Sequence, residues 1–258
     1  MDIYQHFRNE EAPFIDQVLS WKEQVERSYI PKLTDFLDPR EQQIVETIIG
    51  TGNDELQIEA FGGSPHTERN RMIIAPFYEE ITEESFQLTL LEATYQEKFV
   101  TLTHRDAMGA FLSSGVKREK LGDIFVGDGT IQIIVAAEIS PYVVMNLTSV
   151  KHAKIKLAEK ELASVRIPRP NWVESSKTVS SLRLDTVLKE IYRMSRKDAQ
   201  QAIDRQLVKV NHKVVQDTKY PLGAGDLLSF RGKGRSKVIQ IEGQTKKEKW
   251  RITTATLE

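Results

Sequence analysis

The residues of this chain best equipped for chemistry are the cations and amides of its last third. Arg183, Arg196, Lys197, Lys209, Lys213, Arg231, Lys233 and Arg235 fall within about 54 residues, Leu182 to Arg235, whose apolar positions account for folding without them. Arginine presents a planar fork of donors that matches phosphate in bidentate fashion and stacks on exposed bases, as recognition of structured RNA requires. Gln200 follows Arg196 by one helical turn, so both project from one face, near a helix start whose free amides also favour phosphate. Gly232 and Gly234 would let backbone amides approach an anion closely, although a flexible turn explains them too. Any one of these charges alone reads as a solvated surface. Clustered, they point to the gripping of a polyanion.

The elements that must position these groups are legible in the same segment. Leu184, Val187, Leu188 and Ile191 form the apolar stripe of one helix, with Asp185 near its positive end. Ser195 is placed to cap a second helix, in which Ala199, Ala202 and Ile203 face the core and Asp198 completes a capping box with a short acid. Short strands follow over Leu207 to Val210, Val214-Val215 and Leu227 to Arg231, turning at Asn211-His212-Lys213 and at Gly225-Asp226.

Bulk properties agree with one basic end on an acidic body. Residues 181–258 hold 17 Lys/Arg against 9 Asp/Glu, a net of +8, while residues 1–180 hold 19 against 28, a net of −9. Such a dipole suits a polyanion docking at one end. With 40% hydrophobic and 28% charged residues, the 258-residue chain should fold throughout. The longest apolar run, Ile133 to Ala137, is far short of the roughly 20 residues that span a bilayer, so no membrane partner is expected. The acidic N-terminal stretch lacks the pattern of a secretory signal, and there is no cysteine for a disulfide, a thiolate nucleophile or a thiolate-ligated zinc. A cytoplasmic protein without a cofactor or small-molecule substrate is the expectation.

Upstream, two more blocks separate by periodicity and turn residues. The expected fold class is α+β and multidomain. Residues 1–80 form an N-terminal α/β region, with a helix carrying Phe14, Val18, Trp21 and Val25 on one stripe and a second helix capped by Asp38 and running from Pro39 to Gly50. Strands are expected at Glu55 to Phe61 and Met72 to Phe77. Residues 83–165 read strand, helix, strand, strand, helix, strand, the split βαβ order that many RNA-recognition domains share with unrelated folds. Here the strands are Phe86 to Thr94, Ile124 to Val126, Ile131 to Val135 and Lys154 to Leu157. The helices are His104 to Ser113, capped by Thr103, and Ser140 to Val150. The hairpin turns at Gly127-Asp128-Gly129. Residues 166–180, with their prolines and polar residues, suit a linker to the basic domain at 181–258, and Trp172 is expected to pack rather than to hold a ligand.

The pattern RLD, SR, KVN and GD, at Arg183 to Asp185, Ser195-Arg196, Lys209 to Asn211 and Gly225-Asp226, resembles the S4 RNA-binding domain. The resemblance adds Ser195 and Asn211 to the RNA-binding set. Gln206 and His212 depart from it, because that family usually has glycine at both turns. An RLD sequence also occurs in pseudouridine synthases, with the aspartate as nucleophile, but here TVLKEIYRMSR follows instead of a small glycine-containing turn. A helix-end role for Asp185 is favoured. His104-Arg105-Asp106 is similar to a kinase catalytic loop, yet Phe111 stands where a metal-binding asparagine belongs and no glycine-rich nucleotide loop is present. The five histidines have no metal-ligand spacing.

Over nearly the full length, FGGSPHTERNRMIIAPFY, LTHRDAMGAFLSSGVKREKLGDIFV and the C-terminal module together resemble the bacterial YlmH family. That resemblance implies a non-enzymatic protein of Gram-positive type bacteria, encoded near cell-division genes, with an RNA-recognition-like middle domain. It also implies action on the ribosome, binding large-subunit ribosomal RNA and tRNA during rescue of stalled chains. Lys117, Arg118 and Lys120 are weighed as added contacts against a solvated loop. An RNA-modifying enzyme and a division-linked protein adaptor are the rival readings.

Overall fold

The computed structural model describes residues 7–50, 55–166, 170–245 and 248–257. The chain divides into two compact units, residues 1–168 and 169–258.

In the first unit, helix α1 (Ala12–Ser28) buries Ile15, Val18 and Val25, and Tyr29 ends it in a left-handed conformation. Helix α2 (Pro39–Ile49) begins where Asp38 accepts the amides of Arg40 and Glu41 while Glu41 accepts the Asp38 amide. Ile44, Val45, Ile48 and Ile49 of α2 pack on α1, and both lie over a sheet of β1 (Lys32–Leu33), β2 (Leu56–Phe61) and β3 (Arg71–Pro76) in the order β1-β3-β2. The two-residue β1 was not anticipated.

The middle block follows the expected split βαβ order. Strand β4 (Leu88–Thr94), helix α3 (His104–Ser113), strands β5 (Leu121–Gly127) and β6 (Thr130–Ala136) and helix α4 (Ser140–Asn146) come in turn. Asp128 and Gly129 take the positive φ angles that the tight β5–β6 hairpin requires. Several boundaries differ from expectation: β4 starts at Leu88 because Phe86 ends a 3-10 turn, and β5 reaches back to Leu121. Helix α4 stops at Asn146, and β7 (Ser149–Val150) pairs with β8 (Ala153–Lys154) in a separate ribbon; the closing strand is β9 (Ala158–Lys160) rather than Lys154 to Leu157. The apolar residues that suggested a strand there, Ile155 and Leu157, are buried in the helix-side core before the chain reaches the sheet edge. The sheet order is β5-β6-β4-β9, antiparallel throughout.

One face of this sheet packs on α3 and α4 through Ala107, Phe111, Val143 and Leu147. The other face is covered as well. Phe36 of the N-terminal part sits on Leu90, Ile134 and Ala136, with Leu162 and Val165 beside it. Phe36 comes so close to β5 that a Cβ on Gly122 would lie 2.7 Å from its ring, which is why glycine stands there. Polar bolts surround the contact. Arg71, only 5% exposed, donates to the carbonyls of Thr34, Phe86 and Gln87, and Lys120 reaches Asp35 at 2.5 Å and Glu138 at 2.9 Å.

The second unit begins earlier than expected. Trp172–Val179, read from sequence as part of a linker, is strand β10; residues 167–169 of that segment lie outside the described residues. Helices α5 (Leu184–Tyr192) and α6 (Arg196–Asp204) follow, then β11 (Val208–Val210), β12 (Lys213–Val214), β13 (Leu227–Phe230), β14 (Gly234–Gln244) and β15 (Trp250–Leu257). The six strands order as β10-β15-β14-β13-β11-β12. All eight residues of β10 pair with β15, about 78 residues away, so no local signal could reveal the strand. The predicted stripe holds: Leu184, Val187, Leu188, Ile191, Ala199, Ala202 and Ile203 are all buried over the sheet. Among the described residues no helix is long and apolar enough to cross a membrane.

Gln206 and His212, the two departures from glycine, keep glycine's backbone geometry, with φ of 59° and 68°. A left-handed conformation costs an L-residue about 1–2 kcal/mol, partly offset by glycine's greater freedom in the unfolded chain. Gln206→Gly should therefore raise unfolding stability by about 1 kcal/mol or somewhat less, read as a higher urea midpoint. A lower midpoint would show that the Gln206 side chain contributes more than its backbone costs.

Candidate nucleic-acid interface

Asp185 occupies the first turn of α5 with no exposed surface. Four side chains converge on its carboxylate. Arg183 donates through Nε to Oδ1 at 3.2 Å and through Nη2 to Oδ2 at 3.0 Å. From α6, Arg196 Nε and Gln200 Nε2 reach Oδ2 at 3.0 and 3.1 Å, and the Thr186 hydroxyl donates to Oδ1 at 3.2 Å. Burial pushes the carboxyl pKa up, but the hydrogen bonds from Gln200, Arg196, Arg183 and Thr186 outweigh it and hold the group below the usual carboxylate range.

The common face of Arg196 and Gln200, expected from their spacing to clamp phosphate directly, is thus turned first onto Asp185. Each guanidinium still has donors to offer, because Arg183 and Arg196 side chains are 31% and 56% exposed. Two arginines held by one carboxylate form a fixed double fork, which is stronger recognition chemistry than two mobile side chains. The backbone behind them is closed: the Leu184 and Asp185 amides of α5 are bonded by the carbonyls of Tyr220 and Thr218. Asp185 therefore does more than offset a helix dipole, and it is bonded on both oxygens rather than presented as a nucleophile.

The other sequence-predicted residues scatter around this pair. Ser195 caps α6, its hydroxyl accepting the Asp198 amide at 3.0 Å and donating to the Asp198 carboxylate at 2.7 Å. Lys197 is exposed in the first turn of α6. Asn211 is committed internally: its amide donates to Asp226 at 2.8 Å and its oxygen accepts the Leu227 amide at 2.9 Å, so it fastens one turn to another. Lys209, Ser229 and Arg235 lie in one cross-strand row, on the sheet face opposite buried Val208, Val210, Leu228 and Phe230. Lys213 pairs with Val210 and so belongs to the helix side. Arg231 and Lys233 flank Gly232 at the tip between β13 and β14, where the amides of both cations are already bonded to Leu207 and Phe230 carbonyls. The basic set therefore covers two faces and a tip rather than one surface. Sequence reasoning did not find that Lys237 lies 4.5 Å from the Trp172 ring, a packing role for that tryptophan that only the β10–β15 pairing makes possible.

The middle domain has the fold of an RNA-recognition sheet without an open sheet face. Such domains stack bases on the sheet, and here that face carries Phe36, Leu162 and Val165. Gln132 at its centre donates to the Ser164 carbonyl and accepts the Arg166 amide. The loop cations weighed as extra contacts are also engaged: Lys120 with Asp35 and Glu138, Arg118 with the Leu121 and Gly122 carbonyls, Lys117 with Glu119 at 3.7 Å. In the kinase-like triplet, Asp106 caps α3 with Thr103 and pairs with Lys151 at 2.7 Å. The Lys151 and Thr103 bonds pull its pKa down to about 2. Among the described residues no group of His, Asp and Glu stands where it could hold a metal ion.

Comparison with known proteins matches three segments of the chain. Residues 10–79 match the family described as "YlmH, N-terminal", residues 82–164 the "Putative RNA-binding domain in YlmH", and residues 182–228 the "S4 domain". The chain is 44% identical over 252 residues to "Ribosome-associated protein quality control protein P2" of Bacillus subtilis (strain 168), covering 98% of this chain and 97% of that protein. This chain belongs to the YlmH family of S4-domain RNA-binding proteins. A solved member, "Cell division protein ylmH from Streptococcus pneumoniae", is 29% identical with a TM-score of 0.53, covering 62% of this chain and 97% of that one. The S4 match of this YlmH-family chain ends at 228, so β14, β15 and the preceding β10 extend the S4 module into a wider sheet.

The sign of the Asp185 shift sets a pH dependence. A carboxylate whose pKa is lower folded than unfolded stabilises fully above its unfolded pKa and loses that contribution as pH falls through the folded value. The second unit should keep the Asp185 contribution at neutral pH and lose that contribution as pH falls below the ordinary carboxylate range. Asp185→Ala should remove about 3 kcal/mol, the low end for breaking a buried pair because both arginines can turn to solvent. Hydrogen exchange of α5 and α6 amides reads this; protection unchanged by the substitution would refute it.

Proposed function

We propose that this chain is a ribosome-associated factor whose C-terminal unit grips large-subunit ribosomal RNA and tRNA during rescue or quality control of stalled translation. The observation that carries this reading is the pair of arginines, Arg183 and Arg196, oriented by buried Asp185 with donors left for phosphate. The net charge of +8 on residues 181–258 supports it, as does the relative whose name places it in ribosome-associated quality control. Lys197 and the exposed parts of Lys213 would extend the contact on the helix side, and Lys209, Arg231, Lys233 and Arg235 would meet RNA that wraps past the sheet edge. In this reading the ribosome is recognised through phosphates positioned by arginine and by shape, with no chemical step.

The test is co-sedimentation with purified large ribosomal subunits across a salt series. Arg183→Ala with Arg196→Ala should weaken association at least tenfold. Because that variant leaves Asp185 unpaired, Lys197→Gln serves as a second probe outside the carboxylate network; it should flatten the log–log salt dependence by about one unit. Undiminished association of a folded double variant, with an unchanged salt slope for Lys197→Gln, would contradict the proposal.

A further inference from the structure

The N-terminal part of the first unit carries an aromatic surface outside the arginine cluster described above. Phe77 and Tyr78 are 64% and 61% exposed, and Tyr29 and Ile30, at the end of α1, are each 66% exposed. Large apolar side chains this open are ordinary singly and informative when they gather. These do gather: Tyr29, Phe77 and Tyr78 line one cleft of about 200 Å³ with Val25, Leu56 and Pro76.

The surface is held rigid. The Phe77 amide donates to the Glu55 carbonyl at 3.0 Å, the Glu79 amide closes a turn on Pro76 at 3.0 Å, and Gln57 donates to the carbonyls of both Pro76 and Glu79. The two rings meet edge to face, 5.3 Å apart. Aromatic groups fixed before binding lose little freedom on contact, which is how interface anchors behave.

Charge selects the partner. Glu26 and Glu55 line the cleft, and Glu79 and Glu80 follow Tyr78 on the exposed side. Residues 1–80 hold 7 Lys/Arg against 16 Asp/Glu, a net of −9, whereas residues 81–180 hold 12 of each. The whole negative excess of the acidic body thus belongs to the part that presents the aromatics. Such a field repels phosphate and attracts cationic chains. The cleft is smaller than the roughly 300–1,000 Å³ typical of small-molecule sites, and suits one apolar side chain.

We propose that the surface of Tyr29, Ile30, Phe77 and Tyr78 docks a lysine- or arginine-rich protein segment bearing one large apolar anchor. The anchor enters the cleft and the flanking cations meet the carboxylates of Glu26, Glu55, Glu79 and Glu80. This contact is separate from the arginine pair of the C-terminal unit and stands or falls without it.

The test uses the full chain and two fluorescent peptides, one of lysines around a central phenylalanine and one with alanine in its place. The chain should bind the phenylalanine peptide at least tenfold more tightly, and Phe77→Ser with Tyr78→Ser should abolish that preference while leaving net charge and melting temperature unchanged. Equal binding of both peptides, or a preference that survives the double substitution, overturns the proposal. So does a concentration-dependent dimer lost with the same substitutions, which would assign the surface to a second copy of the chain.

Discussion

A charged carboxylate without solvent persists only where its partners come to it, and Asp185 is in that position. Its demand for hydrogen bonds ties the residue before α5 to the first turn of α6 and so sets how the two helices meet. The same demand orients Arg183 and Arg196, whose side chains stay partly exposed. On the proposed function, folding and recognition share one interaction. The apolar stripe beneath supplies the bulk of the cohesion, and the carboxylate supplies the geometry.

The two units divide their surfaces by charge. In the first, the sheet face that an RNA-recognition fold ordinarily leaves open is filled by Phe36 and by the chain around Leu162 to Arg166, and its loop cations are bonded inward. That sheet face is therefore closed to the stacking of bases. The proposed RNA contact lies on the basic C-terminal unit, and the proposed cationic partner on the aromatic surface of the acidic N-terminal part. A near-neutral total charge conceals two oppositely charged ends.

Much of this was legible in the sequence wherever the signal was local. The stripes of α1 and α5, the Asp38 and Thr103 caps, and the Gly127-Asp128-Gly129 hairpin each depend on residues within a turn or two, and each stands where spacing placed it. Strand β10 was not legible, because its partner β15 lies far along the chain and its polar, proline-preceded composition reads as linker. The site was half legible. The RLD and SR residues were identifiable as a group, but spacing along a helix shows only that Arg196 and Gln200 share a face; it does not show that Asp185 waits opposite that face. The bonds of Asn211 were illegible for a related reason, since sequence does not show which neighbouring turn an amide will fasten.

The most direct measurement is the affinity of purified large ribosomal subunits for an Asp185→Asn variant shown by hydrogen exchange to remain folded. Removing a negative charge beside a phosphate-binding surface should strengthen binding if charge alone decides. If Asp185 acts by fixing the two guanidiniums, affinity should instead fall several-fold despite the more favourable net charge. Binding that is unchanged or tighter would contradict the account.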